Sequence, residues 1–398
     1  MGQFSPPISD GIINISQDNC IFGKHLFKSE VITMKTRYFL VLTLIVCSLS
    51  RVIAQDPYQY QVPKTLEDGW KTASLESKAI DTTRFHMLFN QLRPAPHKMH
   101  SFLLIKDGTL LLEEYFNDHD RNTQHDLRSA TKSVRSLLLG IALDKGYIES
   151  IDDPISKYLK THKAKKNLDP RKEEITIRHL ITMSTGLDCN DWDQSSAGQE
   201  DKVYRKKDWI QFTLNLPMVN DPGTVANYCS MGTILMAEIV SQASGMSIDE
   251  FGAKYLFEPM GIANLSWGHT SKKEVIPSSK RLYMTPRDMG KIGQLILNKG
   301  AWGDQQIVSE QWIEESTAAQ TQITGMDYGY QWWRIPFRLH NIQTTATVAT
   351  GNGGQYIMIF EEFNMVAVFT GGAYNSEEGK LPFAIVKDII LYSVTKED

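Results

Sequence analysis

Hydrophobic positions fall into short, bounded runs near both ends of the chain and into longer helix-spaced runs between them. Phe102-Leu103-Leu104-Ile105 and Leu110-Leu111-Leu112 flank the turn pair Asp107-Gly108, which predicts a hairpin over residues 101–106 and 109–116. A second hairpin is predicted from 355–360 and 365–370, around Glu362-Phe363-Asn364. Helices are predicted over 77–92 and over 129–145, the latter stopped by Gly146. The stretch from Asp152 to about Lys272 reads as helices and loops, with a capping box at Ser247-Ile248-Asp249-Glu250. Thr285-Pro286 opens a further helix with proline at its first position, Lys299-Gly300 closes it, and 381–395 makes a terminal helix. Strands at both ends with helices between predict an α+β fold. Its antiparallel sheet, flanked by helices, is built from both ends of the mature chain and carries an all-α insertion. The α/β part is expected over about 70–150 and 275–398, and the helical part over about 151–274.

The beginning of the chain follows a different logic. Met34-Lys35-Thr36-Arg37 is a positive start, 38–49 is largely apolar, and Val52-Ile53-Ala54 before Gln55 resembles a signal-peptidase site. Residues 1–33 are therefore expected to be a mis-called start, 34–54 a signal peptide, and 55–398 the exported protein, periplasmic or secreted. The apolar stretch is too short to span a bilayer, and bulky Val46 before Cys47 disfavours a lipoprotein anchor, so no membrane span is expected after leader removal. Of four cysteines only Cys189 and Cys229 then remain; export would let them pair, but two buried free thiols are the expectation. A net charge of −4 argues against nucleic acid or an acidic membrane surface as partner.

The most telling chemistry is Ser129-Ala130-Thr131-Lys132 at the head of an apolar helix. Serine and lysine three apart share a helix face. Burial should drive Lys132 toward the neutral amine, a base beside a hydroxyl nucleophile. The bland alternative is an N-cap serine. The other serine–lysine pair at this spacing, Ser393 with Lys396, has no room for partner motifs after it. Tyr228 with Ser230, just before a helix, can offer two hydroxyls to one cavity, the phenol carrying protons; alone, it reads as a buried structural tyrosine. Gly351-Asn352-Gly353-Gly354-Gln355 allows close approach of backbone to a ligand, or simply a bend. Asp188, Asp191 and Asp193 read as a solvated loop, Trp332 and Trp333 as core, and His179 and His269 as structural. The ten histidines show no zinc-type pairs, so no metal is expected.

In this order, Ser129/Lys132, Tyr228/Ser230 and a glycine-rich turn before a late strand resemble the serine β-lactamase and penicillin-binding protein superfamily. Within it the chain is most similar to the class C-like branch of esterases and 6-aminohexanoate-dimer hydrolase. The segments 175–187, 284–289 and 328–333 look like further signatures, and the likeness covers about 98–395. It implies a site in a groove between the sheet part and the helical part, and a reaction that needs no cofactor. Ser129 would attack an acyl carbonyl, with Lys132 and Tyr228 as general base and acid. Ser230, Asn352, Gly353 and Gly354 would meet the substrate, and the backbone N–H groups of Ser129 and Asn352 would hold the oxyanion. The family's lysine–serine/threonine–glycine triplet is missing, which lowers readings that need a bound carboxylate. The expectation is a serine esterase or amidase acting on a small molecule. A β-lactamase or D-amino-acid-specific peptidase or carboxypeptidase, and a non-catalytic penicillin-binding-like sensor or assembly protein, are the alternatives.

Overall fold

Two apolar hairpins, distant in sequence, lie side by side because each exposes an edge that the other completes. In the computed structural model, which describes residues 57–269, 276–340 and 342–394, the first hairpin is β2 (Met99–Lys106) and β3 (Thr109–Tyr115). The second is β13 (Gln355–Phe360) and β14 (Met365–Gly371). β14 pairs antiparallel with β2, with Leu103 opposite Val368, and the rings of Phe102 and Phe369 stack at 4.6 Å. Both ends of the chain thus build one sheet. The expected leader, 1–33 and 34–54, lies outside the described residues.

Five more strands complete this sheet: β1 (Lys71–Thr72), β9 (Thr321–Ile323), β10 (Met326–Tyr328), β11 (Trp333–Leu339) and β12 (Ile342–Gly351) join it, in the order β1-β3-β2-β14-β13-β12-β11-β10-β9. Three others, β4 (His125–Asp126), β5 (Leu265–Gly268) and β6 (Arg281–Met284), form a small separate sheet in the order β4-β6-β5, and β7 (Ala301–Trp302) pairs with β8 (Gln305–Gln306). All pairings in the large sheet are antiparallel except β1 with β3. The fold is the expected α+β class.

The helix Thr131–Asp144 is buried from Thr131 through Ala142, its apolar second half in the core and its first half burying Lys132, Ser133, Arg135 and Ser136. It packs against the helix Ser230–Ser244. Gln331 pins this centre: its Oε1 accepts from Thr233, its amide reaches the carbonyls of Leu180 and Ile181, and its carbonyl accepts from Ser133. The helix expected over 77–92 is broken. A short turn, Glu76–Lys78, ends at Ala79 in the left-handed region, and the α-helix proper is Thr83–Leu92. Propensity alone could not show that interruption.

Two further expectations need correction. Cys189 and Cys229 are joined in a disulfide, with Cα atoms 5.5 Å apart. The fold brings together positions 40 residues apart, which spacing could not reveal. The histidines do cluster: His100, His119 and His125 meet where β2, the loop after β3 and β4 converge. His179, by contrast, is structural as expected. It completes a capping box with Thr176 at the head of the helix Ile177–Ile181.

Candidate functional site

The turn that delivers Ser129 is unusual in its backbone. Arg128 sits at φ +51°, a region that disfavours side chains by about 1–2 kcal/mol. Its N–H donates to Asp126 Oδ1 at 2.9 Å, which holds the turn in place. Ser129 therefore lies in a tight turn, Arg128–Ala130, ahead of the α-helix, and makes no cap hydrogen bond. Its hydroxyl instead accepts from Lys132 Nζ at 3.0 Å.

Lys132 is 7% exposed, and its Nζ lies 4.8 Å from the centroid of the Tyr228 ring. Burial works to neutralise it, as expected, but it does not win. The adjoining Tyr228 hydroxyl, to which it is hydrogen-bonded, and the acids Glu200 and Asp191 hold its pKa above the ordinary lysine value. Lys132 is an ammonium in the resting site. The expectation of a neutral amine is corrected, because sequence could not show the acids that the fold supplies.

The most important of those acids is Asp191. Expected in a solvated loop, it is instead folded into the site. Its Oδ2 accepts from the backbone N–H of Ser230 at 2.9 Å and from the Ser230 hydroxyl at 2.7 Å, while its buried Oδ1 has no partner. Burial first, then the neighbouring Glu200, push its pKa up to about 7. Asp188 and Asp193 behave as loop residues: each accepts from a backbone N–H of its own loop, Ala197 and Ser195 respectively.

The Tyr228 ring belongs to an aromatic cluster with Trp192 and Trp333, themselves 6.2 Å apart. Trp192 stacks on it at 5.0 Å and nearly parallel, and Trp333 lies at 5.8 Å. Trp332 is fully buried, as expected for core, whereas Trp333 forms part of the wall around Tyr228.

A cavity of about 100 Å³ is lined by Ser129, Lys132, Ser230, Asn352, Glu200 and Tyr204 among others, whereas Tyr228 is not among its lining residues and reaches the site through Lys132. Arg128, Arg135 and Arg281 line it as well. Arg128 and Arg281 share Asp126, at 3.2 and 2.9 Å. Arg135 has only the carbonyl of Lys280 on its Nη2, its Nε is unpartnered, and burial lowers its pKa to about 10, so it stays charged at neutral pH.

Of the glycine-rich turn, Asn352 alone lines the cavity, its side chain fixed by reciprocal hydrogen bonds with Asn375. Gly353 and Gly354, expected at the ligand, are not among the cavity's lining residues. A side chain on Gly353 would strike Tyr374 at 2.5 Å, and Gly354 faces Gly371 and Gly379. The close backbone approach occurs at Gly351, where a Cβ would lie 2.1 Å from the Leu127 carbonyl. This glycine lets the end of β12 abut the turn that carries Ser129.

Sequence reasoning missed Asp191, Glu200, Tyr204 and Arg135. One signal was available for Asp191. It follows Cys189 by two, and Cys229 lies between Tyr228 and Ser230, so a disulfide there carries the aspartate to the site. The Asp191 N–H indeed donates to the Tyr228 carbonyl at 2.8 Å.

With the site described, comparison supplies its context. Residues 98–384 match the family model described as Beta-lactamase. The chain belongs to the beta-lactamase family. The 6-aminohexanoate-dimer hydrolase of Paenarthrobacter ureafaciens is 22% identical over 58% of this chain and 63% of that enzyme. The lovastatin esterase of Penicillium rubens is 23% identical over 44% of this chain and 46% of that enzyme. The chain thus spans less than two thirds of the length of either. A solved structure, the octameric penicillin-binding protein homologue from Pyrococcus abyssi, superposes with a TM-score of 0.57 at 19% identity, covering 76% of both chains. That likeness shows the fold. By family this β-lactamase relative is a serine hydrolase, and no helix among its described residues is long and apolar enough to cross a membrane.

Proposed function

We propose that this chain is an exported serine hydrolase that cleaves a small-molecule ester or amide through a covalent acyl-enzyme on Ser129. The observation that carries the reading is the 3.0 Å contact of Lys132 with Ser129, with Tyr228 hydrogen-bonded to the same ammonium. Lys132 and Tyr228 act as one proton-holding pair. Because Lys132 keeps its charge, the pair must first release one proton to solvent. The proton from Ser129 Oγ then passes to the pair as Oγ bonds to the carbonyl carbon. The carbonyl electrons move onto oxygen, where the N–H groups of Ser129 and Asn352 receive the charge. On collapse the C–O or C–N bond breaks, and the pair returns the proton to the leaving group. Water repeats the sequence and frees the acid.

Asp191 and Glu200 support the charge on Lys132 and so set the pH at which the pair becomes active. Asp191 also orients Ser230, whose hydroxyl donates to it. Arg135, a buried cation without a carboxylate partner, favours substrates that bring a negative or strongly polar group into the cavity.

The test is release of p-nitrophenol from a short-chain ester by the mature protein beside Ser129→Ala. Turnover is expected in the first, with a loss of about 10⁴-fold or more in the second. Equal rates would remove Ser129 as nucleophile and bring the non-catalytic reading forward. A single burst without turnover would indicate a sensor.

A further inference from the structure

Outside this cavity, the histidines at positions 100, 119 and 125 come from three separate segments. His100 lies at the start of β2, His119 in the loop after β3, and His125 in β4. One ligand atom from each falls within 4.8 Å of the others. The rings of His100 and His119 stack at 3.6 Å, and His125 lies 5.3 Å from each.

Hydrogen bonding is what sets this cluster apart from ordinary packing. His119 Nδ1 lies 2.6 Å from the Asn117 carbonyl, and His125 Nδ1 lies 3.1 Å from the Thr123 carbonyl. A carbonyl only accepts, so both Nδ1 atoms carry the proton and both Nε2 atoms present a lone pair. That is the tautomer and backing found behind metal-bound imidazoles. His125 Nε2 and His100 Nδ1 are buried and have no partner at all. Buried polar atoms are rarely left so, and two in one cluster mark a missing common partner.

We infer that His100, His119 and His125 form a binding site for one divalent transition-metal ion of the zinc type. Three imidazole nitrogens with an open fourth position suit such an ion. Tetrahedral ligation brings nitrogens to about 3.3 Å from one another, from bonds of about 2.0 Å. The rings must therefore close in and His119 must tilt out of its stack. It can do so because it is half-exposed in a loop, whereas His100 and His125 are held by strands. His100 is further confined by Gly372, where a Cβ would lie 2.9 Å from its Nε2. A bound ion would tie β2 to β4, in which Asp126, the residue after His125, anchors Arg128 beside Ser129. The site is structural in this reading, a brace for the segment that leads into the nucleophile turn.

The test titrates the untagged full chain with Co²⁺, following visible absorption, and with Zn²⁺ by calorimetry. One ion per chain is expected, with the intense visible band of a tetrahedral nitrogen site and a higher Tm with Zn²⁺. His119→Ala, in the loop, and His125→Gln should each weaken binding roughly 100-fold or more, at or beyond the cost of losing a mere supporting partner. Should His125→Gln fail to fold, His119→Ala decides alone. No stoichiometric uptake by the wild-type chain overturns the site. So does unchanged affinity in His119→Ala, which would put the ion elsewhere. Ester hydrolysis does not enter either readout, so this inference stands or falls apart from the proposed reaction.

Discussion

Two buried lysines on two helices packed in this fold meet opposite fates. Lys291, on the helix Pro286–Leu297 beneath the sheet, is 1% exposed. Its Nζ donates to the carbonyls of Gly261 at 3.0 Å and Met260 at 3.4 Å and pairs with Asp288 at 3.3 Å. Asp288 in turn accepts from the Thr285 hydroxyl at 2.8 Å. Every charge there has a partner that can do nothing but hold it. Lys132 is buried almost as well, yet its donors go to the Ser129 hydroxyl and the Tyr228 phenol, groups that can themselves gain or lose protons. Its nearest acids include Asp191, with one oxygen unpartnered. A satisfied buried ion pair fixes structure. A buried cation held by reactive hydroxyls stores a proton ready to move.

Replacing each lysine by methionine tests that contrast most directly. Lys132→Met should lower kcat/KM for ester hydrolysis by about 10²–10⁴-fold, the range for loss of a general base. Its Tm should hold or rise, because an apolar chain of similar shape replaces a buried charge. Hydrolysis within tenfold of wild type would remove Lys132 from the proton path. Lys291→Met should do the reverse. It strands the Asp288 carboxylate and should cost about 3 kcal/mol, read as a fall in Tm of roughly 5–10 °C. Measured well below that Tm, kcat/KM should stay within about twofold. A stable Lys291→Met protein would mean that Asp288 takes up a proton at little cost.

The contrast also explains what was legible in the sequence. Turn chemistry and apolar runs located both hairpins because Asp107-Gly108 and Asn364 carry local conformational information. The strands β9 to β12 escaped because their sequences are mixed. β11 alternates buried Trp333, Ile335 and Phe337 with arginines and a proline, and β12 is rich in threonine. The Ser129–Lys132 contact was legible because one helical turn connects the pair. The charge on Lys132 was not, since it depends on Asp191 and Glu200, 59 and 68 positions away by their numbers. The histidine cluster was hidden for the same reason: three segments meet only after the two sheets form. Local contacts can be read from the chain, whereas electrostatic environment belongs to the fold.

Asp191 offers the finest test, because its effect is a difference between two pH values. In the unfolded chain it ionises near the ordinary aspartate value of 3.8, and in the folded protein near 7. Between those values the folded state binds more protons than the unfolded one, so stability falls as pH rises. The contribution is complete below about pH 4 and is lost as pH passes about 7. Asp191→Asn abolishes that dependence while keeping an oxygen to accept from the Ser230 N–H and hydroxyl. The variant should match wild type at pH 4 and exceed it at pH 8 by on the order of 2 kcal/mol in denaturant unfolding. Above pH 7 the variant also lacks a negative charge that supports the Lys132 ammonium. The alkaline rise of kcat/KM should therefore begin at lower pH than in wild type. Equal stability gains at pH 4 and pH 8 would show that Asp191 is ionised throughout. The unpartnered oxygen would then mark a packing defect rather than a reserve of charge beside Lys132.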